Sequence, residues 1–221
     1  MTALAAPNFD RLAGVYRWME WLSFGGWLWQ CRCAFLPEMR TSRRALVLGD
    51  GDGRFTARLL RESPLVRVDA VDLSPPMLDG LMARAGEDRA RVRPLVADVR
   101  DGLPDGAGYD LVVTHFLLDC LTTGEVEALA AQVKTKLTVK ALWVVSEFAI
   151  PQGWFGRVVA RPVVSLLYWA FGWMTGLRVR KLPDWTGALE RAGFVLEGRR
   201  SRLHGLLVSE RWRAGSGEPA A

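Results

Sequence analysis

The 221-residue sequence has few cysteines and no long uncharged segment, and each shortage excludes a class of protein. Its three cysteines are Cys31, Cys33 and Cys120, an odd number without a second closely spaced pair. This pattern argues against a disulfide framework or a zinc site and favours free thiols in a reducing compartment. The longest uncharged run, 162–177, has 16 residues, whereas a membrane-spanning helix needs about 20. We therefore expect an interfacial helix or a lid there, and not a membrane span.

The amino terminus and the charge distribution bear on location and partners. The first nine residues lack a basic region before an apolar core, so no signal peptide is expected and the predicted location is cytoplasmic. The net charge is +5, and small basic clusters such as 178–181 flank apolar segments, which suits an anionic membrane surface and a peripheral location at the inner membrane. A uniformly basic proteome would give the same net charge. No stripe of aromatic and basic residues indicates a nucleic-acid partner.

A glycine-rich turn is the most informative feature of the chain. The apolar run 45–48 predicts a buried strand, and residues 55–60 predict the beginning of a helix. Glycine tolerates positive φ and lets backbone approach a ligand closely, and a helix N-terminus attracts polar or anionic groups. The segment therefore predicts a ligand-binding turn. The turn consists of Gly49, Asp50, Gly51, Asp52 and Gly53.

The spacing of these glycines discriminates between ligands. A dinucleotide site needs the pattern G-x-G-x-x-G, and Arg54 occupies the position of its third glycine. The observed G-x-G-x-G argues against NAD and FAD, and therefore against a nicotinamide-dependent oxidoreductase. It resembles the first motif of class I S-adenosylmethionine (SAM)-dependent methyltransferases. By itself, the pattern also suits a strand-to-helix turn with solubilising aspartates.

Two acidic residues follow predicted strands downstream of the turn. Asp72 ends the strand 67–72 and lies 19 residues after Gly53, where doubly wound folds place a carboxylate that accepts hydrogen bonds from ribose hydroxyls. Asp98 ends the predicted strand 92–99 in the same way. The alternative for Asp72 is an ordinary turn residue at a strand end. Further strands are predicted at 109–114 and 141–147, so four successive strands end in polar residues.

This arrangement resembles the class I SAM-dependent methyltransferases, closely from Arg44 to Glu147 and loosely as far as Trp212. The resemblance implies a Rossmann-like α/β fold with strand order 3-2-1-4-5-7-6, an antiparallel last strand, and SAM as the cofactor. It also implies that Asp98 faces the adenine amino group. The cofactor-binding residues that it implies are Gly49, Asp50, Gly51, Asp52, Gly53, Asp72, Leu73, Met77, Asp98, Val99, His115 and Tyr16.

One position departs from the family pattern. The family usually carries an acid two residues before the first glycine, and here that residue is Val47. Asp50 or Asp52 is the candidate replacement towards the methionine amino group. The departure also favours an alternative function, a non-catalytic protein with the SAM-binding fold that binds a partner or a membrane.

Two tryptophan-rich apolar stretches flank the predicted core. We expect one methyltransferase domain over 1–214 and a disordered tail over 215–221. Within the domain we predict a helical lid over 1–40, the cofactor core over 44–147, an apolar insertion over 151–182, and a terminal helix with two strands over 183–213. The layout resembles that of the ubiquinone/menaquinone methyltransferase group and implies a small apolar or lipid-like acceptor. The alternative for the insertion is a core helix packed on the sheet.

Histidine is also scarce, and one of the two histidines is the candidate general base. His115 directly follows the fourth strand, where the family places residues beside the acceptor, and the unperturbed pKa of a histidine, near 6.5, suits proton transfer. Asp119 is predicted to orient it, since residues four apart on a helix share a face. A structural histidine bonded to backbone is the alternative. We expect no metal, and the residues leave O-, N- and C-methylation open.

Overall fold

A computed structural model describes residues 26–166 and 182–215. Tyr16 and the basic cluster 178–181 lie outside the described residues, as does most of the predicted amino-terminal lid. The described part contains a seven-stranded sheet in the order β3-β2-β1-β4-β5-β7-β6. The strands are β1 Arg44–Leu48, β2 Arg67–Asp72, β3 Val92–Val96, β4 Tyr109–His115, β5 Leu137–Phe148, β6 Phe194–Arg202 and β7 Leu207–Ala214.

The strand directions determine where a ligand can bind. Strands β1 to β5 pair in parallel, and β7 runs antiparallel to both β5 and β6. The predicted fold class and strand order are confirmed. The chain reverses its direction of winding between β1 and β4, and in open α/β sheets this switch point opens a crevice at the carboxyl ends of the strands.

Helices cover both faces of the sheet because its central strands are apolar on both sides. In β1, Ala45 and Val47 pack in one apolar cluster, whereas Leu46 and Leu48 pack in the other. Strands buried on both faces are typical of parallel sheets. The α-helices of the described residues include α1 Trp27–Arg32, α2 Leu36–Met39, α3 Arg54–Glu62, α4 Pro75–Ala85, α5 Thr123–Lys136 and α6 Trp185–Arg191.

Local signals explain several of the helix boundaries. The Thr122 hydroxyl accepts a hydrogen bond from the Glu125 amide, and the Glu125 carboxylate accepts one from the Thr122 amide, which forms a capping box at the start of α5. Proline occupies the first turn of α4, where its missing N–H is not needed. Strand β3 ends at Val96, two residues before Asp98, because the Asp98 carboxylate accepts the Arg100 amide in a tight turn.

The predicted apolar insertion is helical from 154 to 166, with a π-helical turn at Gly156–Ala160. Ala160 and Val164 lie on its buried side and pack against Leu206. Of the helices that the structure describes, none combines the length and the hydropathy that crossing a bilayer requires.

Candidate functional site

The glycine turn lies between β1 and α3 with a left-handed backbone at each of its three glycines. The φ angles of Gly49, Gly51 and Gly53 are +67°, +62° and +78°. A Cβ on Gly49 would lie 2.9 Å from Leu117 Cδ1, and one on Gly53 would lie 2.5 Å from Leu81 Cα. A Cβ on Gly51 would meet only the Met77 sulfur, at 3.9 Å. Packing therefore occupies the space beside the outer glycines, and the backbone at Gly51 stays open to a ligand.

Asp72 ends β2, as the sequence predicted, and its carboxylate lies beside the glycine turn. Its carboxylate accepts hydrogen bonds from the amides of Ser74 at 2.9 Å and Gly51 at 3.3 Å. Burial raises the pKa of Asp72, and these two amides partly oppose that rise. An ionised carboxylate has about four lone-pair sites, so acceptor capacity remains for ligand hydroxyls. Leu73 is half-buried beside it, and Met77 is buried at the start of α4.

Asp98 lies next to Asp72 at the same end of the sheet, since the Ala97 amide donates to the Asp72 carbonyl. The Arg100 side chain and amide hold its carboxylate, with Nε 2.9 Å from Oδ1. This hydrogen bonding lowers the pKa of Asp98, which keeps the group ionised. Val99 is buried in the apolar cluster below. The role towards adenine that the resemblance implies for Asp98 stays a prediction.

The two aspartates inside the turn have different surroundings. The Asp50 carboxylate accepts the Thr56 amide at 2.8 Å and so caps α3, and burial raises its pKa to about 6. Asp52 is paired with Arg84 at 2.8 Å and with Arg54 at 3.2 Å, which ties the turn to α4. Val47 is buried in the core. Asp50 and Asp52 therefore both stay candidates for the missing acid, and a role of either towards the cofactor stays a prediction.

His115 ends β4 with only 3% of its surface exposed. Its ring makes an edge-to-face contact with Phe55 at 4.5 Å between centroids, and neither ring nitrogen has a hydrogen-bond partner among the described residues. Burial, and secondarily the charge of Arg32, lowers the pKa of His115 well below 6.5. The imidazole is therefore uncharged at neutral pH.

Asp119 was predicted to orient His115, but within the described residues it makes no hydrogen bond to either ring nitrogen of His115. His115 belongs to a strand, Phe116 has a φ of +57°, and Leu118–Cys120 is a short 3₁₀ turn, so the spacing of an α-helix does not apply. Instead, the Asp119 carboxylate accepts from Cys120 Sγ at 3.5 Å. Burial raises the pKa of Asp119 to about 6, and its charge contributes to a raised pKa at Glu147.

Two buried charged residues near the crevice were not singled out from the sequence. Arg32 lies in the last turn of α1, and its guanidinium is 5.6 Å from the centre of the Phe116 ring. Glu147, near the end of β5, is fully buried and accepts hydrogen bonds from the loop after β4. Glu147 lies near the end of a strand, as Asp72 does, so the sequence could have indicated it as a candidate site residue. No local sequence pattern indicated Arg32 as a site residue.

Comparison with known proteins matches residues 45–139 to a family model described as a methyltransferase domain. The release factor glutamine methyltransferase of Koribacter versatilis (strain Ellin345) is 28% identical, over an alignment that covers 55% of this chain and 49% of the relative. This chain thus spans about half the length of that curated relative.

Solved structures show the same fold at low sequence identity. A putative O-methyltransferase from Nostoc punctiforme PCC 73102 has a TM-score of 0.72 at 17% identity, and the match covers 96% of this chain and 64% of that one. The N-methyltransferase NodS from Bradyrhizobium japonicum WM9, solved with S-adenosyl-L-homocysteine, has a TM-score of 0.61 at 14% identity and covers 83% and 85%. The glycine motif and the strand order agree with the family model, which matches residues 45–139 as a methyltransferase domain.

Proposed function

We propose that this protein transfers a methyl group from SAM to a small apolar acceptor. The observation that carries the proposal is the glycine turn itself, with Gly51 open to a ligand and the Asp72 carboxylate beside it. The approachable backbone suits the methionine and ribose portions of the cofactor, and the carboxylate suits two vicinal hydroxyls. These residues fit the cofactor that the family uses.

The surroundings of the loop after β4 support an apolar acceptor. Phe116 and Phe148 are in ring contact at 5.3 Å, and both pack against the apolar cluster of Leu28, Cys31 and Leu207. His115, which precedes Phe116, is uncharged at neutral pH because burial lowers its pKa. The aromatic and aliphatic groups packed here, beside the Arg32 guanidinium at 5.6 Å from the centre of the Phe116 ring, favour an apolar acceptor with a removable proton. A quinol-like or phenolic compound meets that description.

The chemistry divides between the cofactor and the protein. SAM supplies a methyl group already activated on a positively charged sulfonium. The residues of the chain orient the two reactants and exclude water. His115 is the candidate for accepting the proton that the acceptor oxygen, nitrogen or carbon loses, since it ends β4 directly before the loop and its imidazole is uncharged at neutral pH.

Asp72→Ala is expected to weaken SAM binding by about 1–3 kcal/mol, or about 5- to 150-fold, as the loss of a charged acceptor predicts. Isothermal titration of the purified protein measures the change. The matched control is Asp79→Ala on the exposed side of α4, which should bind SAM as the wild type does. Unchanged affinity in Asp72→Ala would reject the assignment to ribose.

The non-catalytic alternative is still favoured by Val47, which puts a buried apolar side chain where the family usually has an acid. Methyl-labelled SAM separates the two functions. An enzyme releases S-adenosyl-L-homocysteine when small phenols, quinols and amines are supplied. A binding protein shows titratable SAM affinity and no labelled product with any of them.

We also infer that the insertion lies against an anionic membrane surface. Trp154, Val158 and Leu166 are 71%, 66% and 63% exposed on its outer side, and Arg157 and Arg161 are exposed with them. No aspartate or glutamate occurs in residues 148–183. Exposed apolar side chains can enter the interfacial region of a bilayer, and basic side chains attract anionic headgroups. This segment has both on one face and no acid to oppose them.

Arg157→Glu/Arg161→Glu is expected to reduce binding to vesicles that contain phosphatidylglycerol by about 30-fold or more. The reason is that each basic residue near such a surface contributes about 1 kcal/mol. Co-sedimentation measures the bound fraction. Arg67→Glu/Arg89→Glu, a charge-matched pair at exposed positions elsewhere, should bind as the wild type does. Equal wild-type binding to neutral and anionic vesicles, or none to either, would contradict the inference.

A further inference from the structure

Glu147 holds the loop that follows β4 from the neighbouring strand. Its Oε1 atom accepts hydrogen bonds from the amides of Leu117 at 3.0 Å and Leu118 at 2.7 Å. The amide of Phe116 donates to the Ser146 carbonyl at 2.7 Å. Three successive amides of the loop are thus fixed by two successive residues of β5.

The loop needs this support because its backbone is strained. Phe116 has a φ of +57°, a left-handed conformation that costs a non-glycine residue about 1–2 kcal/mol. Such a conformation persists only where the surroundings determine it, and it is most common at functional sites. The hydrogen bonds to Ser146 and Glu147 and the contact of Phe116 with Phe148 provide those surroundings.

The same loop forms one wall of the glycine turn. Leu117 Cδ1 lies 2.9 Å from the point that a Cβ on Gly49 would occupy, so the two segments are in tight contact. His115 precedes the loop directly. Displacement of the loop would therefore move the Leu117 side chain away from the turn and alter the place of the His115 ring.

The carboxyl group of Glu147 is part of a buried acidic pair. Burial and the charge of Asp119 raise the pKa of Glu147 well above its ordinary value. Its role as a hydrogen-bond acceptor does not need the charge, because the carbonyl oxygen of a neutral carboxyl group also accepts. A glutamine at this position would keep that acceptor, whereas a leucine would fill similar space without one.

We propose that Glu147 is a positioning residue for methyl transfer, which fixes the strained loop against the glycine turn through its Oε1 atom. The proposal deepens the proposed function and rests on it. Glu147 acts on the cofactor crevice through Leu117 and through the placement of His115.

The test compares Glu147→Leu with Glu147→Gln by hydrogen exchange in the cofactor-free protein. Glu147→Leu should speed exchange of the amides in residues 116–119 by about tenfold or more, since the loop loses its acceptor. Glu147→Gln should exchange as the wild type does. Glu210→Leu is the matched control because Glu210 is an equally buried acid, on β7, whose carboxylate pairs with Arg199 at 3.2 Å. It should leave exchange in 116–119 unchanged.

Cofactor binding and turnover separate a positioning role from a merely structural one. At a temperature well below unfolding, Glu147→Leu should weaken SAM binding and lower turnover by about tenfold or more each, and Glu147→Gln should restore both. Wild-type exchange and SAM affinity in Glu147→Leu would overturn the proposal, as would an equal loss in Glu147→Gln. If Glu147→Leu does not fold, Leu117→Ala decides, since it should weaken SAM binding while the loop amides stay protected.

The outcomes also distinguish this proposal from the proposed function. In one outcome, Glu147→Leu exchanges its loop amides faster and binds SAM more weakly, but the wild type transfers no methyl group. This outcome would support the role of Glu147 in positioning the loop and would reject catalysis. Wild-type methyl transfer that Glu147→Leu leaves intact would support catalysis and reject the positioning role.

Discussion

Gly53→Ala is expected to lower the free energy of unfolding by about 2–5 kcal/mol and to abolish measurable SAM binding. The left-handed φ of +78° costs an alanine about 1–2 kcal/mol. The added Cβ would also lie 2.5 Å from the Leu81 Cα, and relief of such overpacking costs about 1–3 kcal/mol more. Backbone cannot rotate away as a flexible side chain can, so α4 or the turn must shift.

Gly108→Ala is the matched control for this effect. Gly108 has the same φ of +78°, but an added Cβ would meet nothing within 4 Å. Gly108→Ala should therefore lower the free energy of unfolding by the backbone contribution alone, about 1–2 kcal/mol, and should leave SAM affinity unchanged. Urea denaturation and isothermal titration measure the two quantities. If both alanine variants lose the same stability, the contact between Gly53 and α4 is not the reason for the glycine.

His115→Ala is expected to lower turnover by about 10²- to 10⁴-fold, the usual contribution of a general base. SAM affinity should change little, because His115 forms no hydrogen bond within the described residues that the glycine turn depends on. The measurement is the rate of labelled methyl transfer to an acceptor found by screening. Full activity in the variant would dismiss His115 as the base, and an equal loss of SAM affinity would assign it to the cofactor site.

His204→Ala is the control for His115. His204 is exposed, has a left-handed φ of +53° and contacts the Phe155 ring at 5.1 Å. Its removal should leave turnover within about twofold, since it has no place in the crevice. The pH profile gives a second check. Because the pKa of His115 lies well below 6.5, wild-type turnover should not fall as the pH passes through 6.5. A loss centred there would indicate a different base.

The local pattern of the sequence was enough to predict the sheet and the glycine turn. A short apolar run followed by glycine, such as 45–48, indicates a buried strand, and the G-x-G-x-G spacing indicates a backbone that approaches a ligand. Asp72 could be placed because the end of a strand is a fixed point in a parallel sheet. These features depend on residues that are near one another in the chain.

The tertiary structure decided what each polar side chain in the crevice contacts. The sequence could not show that Phe116 takes a left-handed φ and that a short 3₁₀ turn follows it, so that the helical spacing expected between His115 and Asp119 does not form. It could not show that Arg84 pairs with Asp52 while the Thr56 amide pairs with Asp50. Nor could it bring Glu147 to the amides of Leu117 and Leu118 across 30 and 29 residues of chain. Hydrogen-bond partners between separate elements depend on packing, and no local periodicity records them.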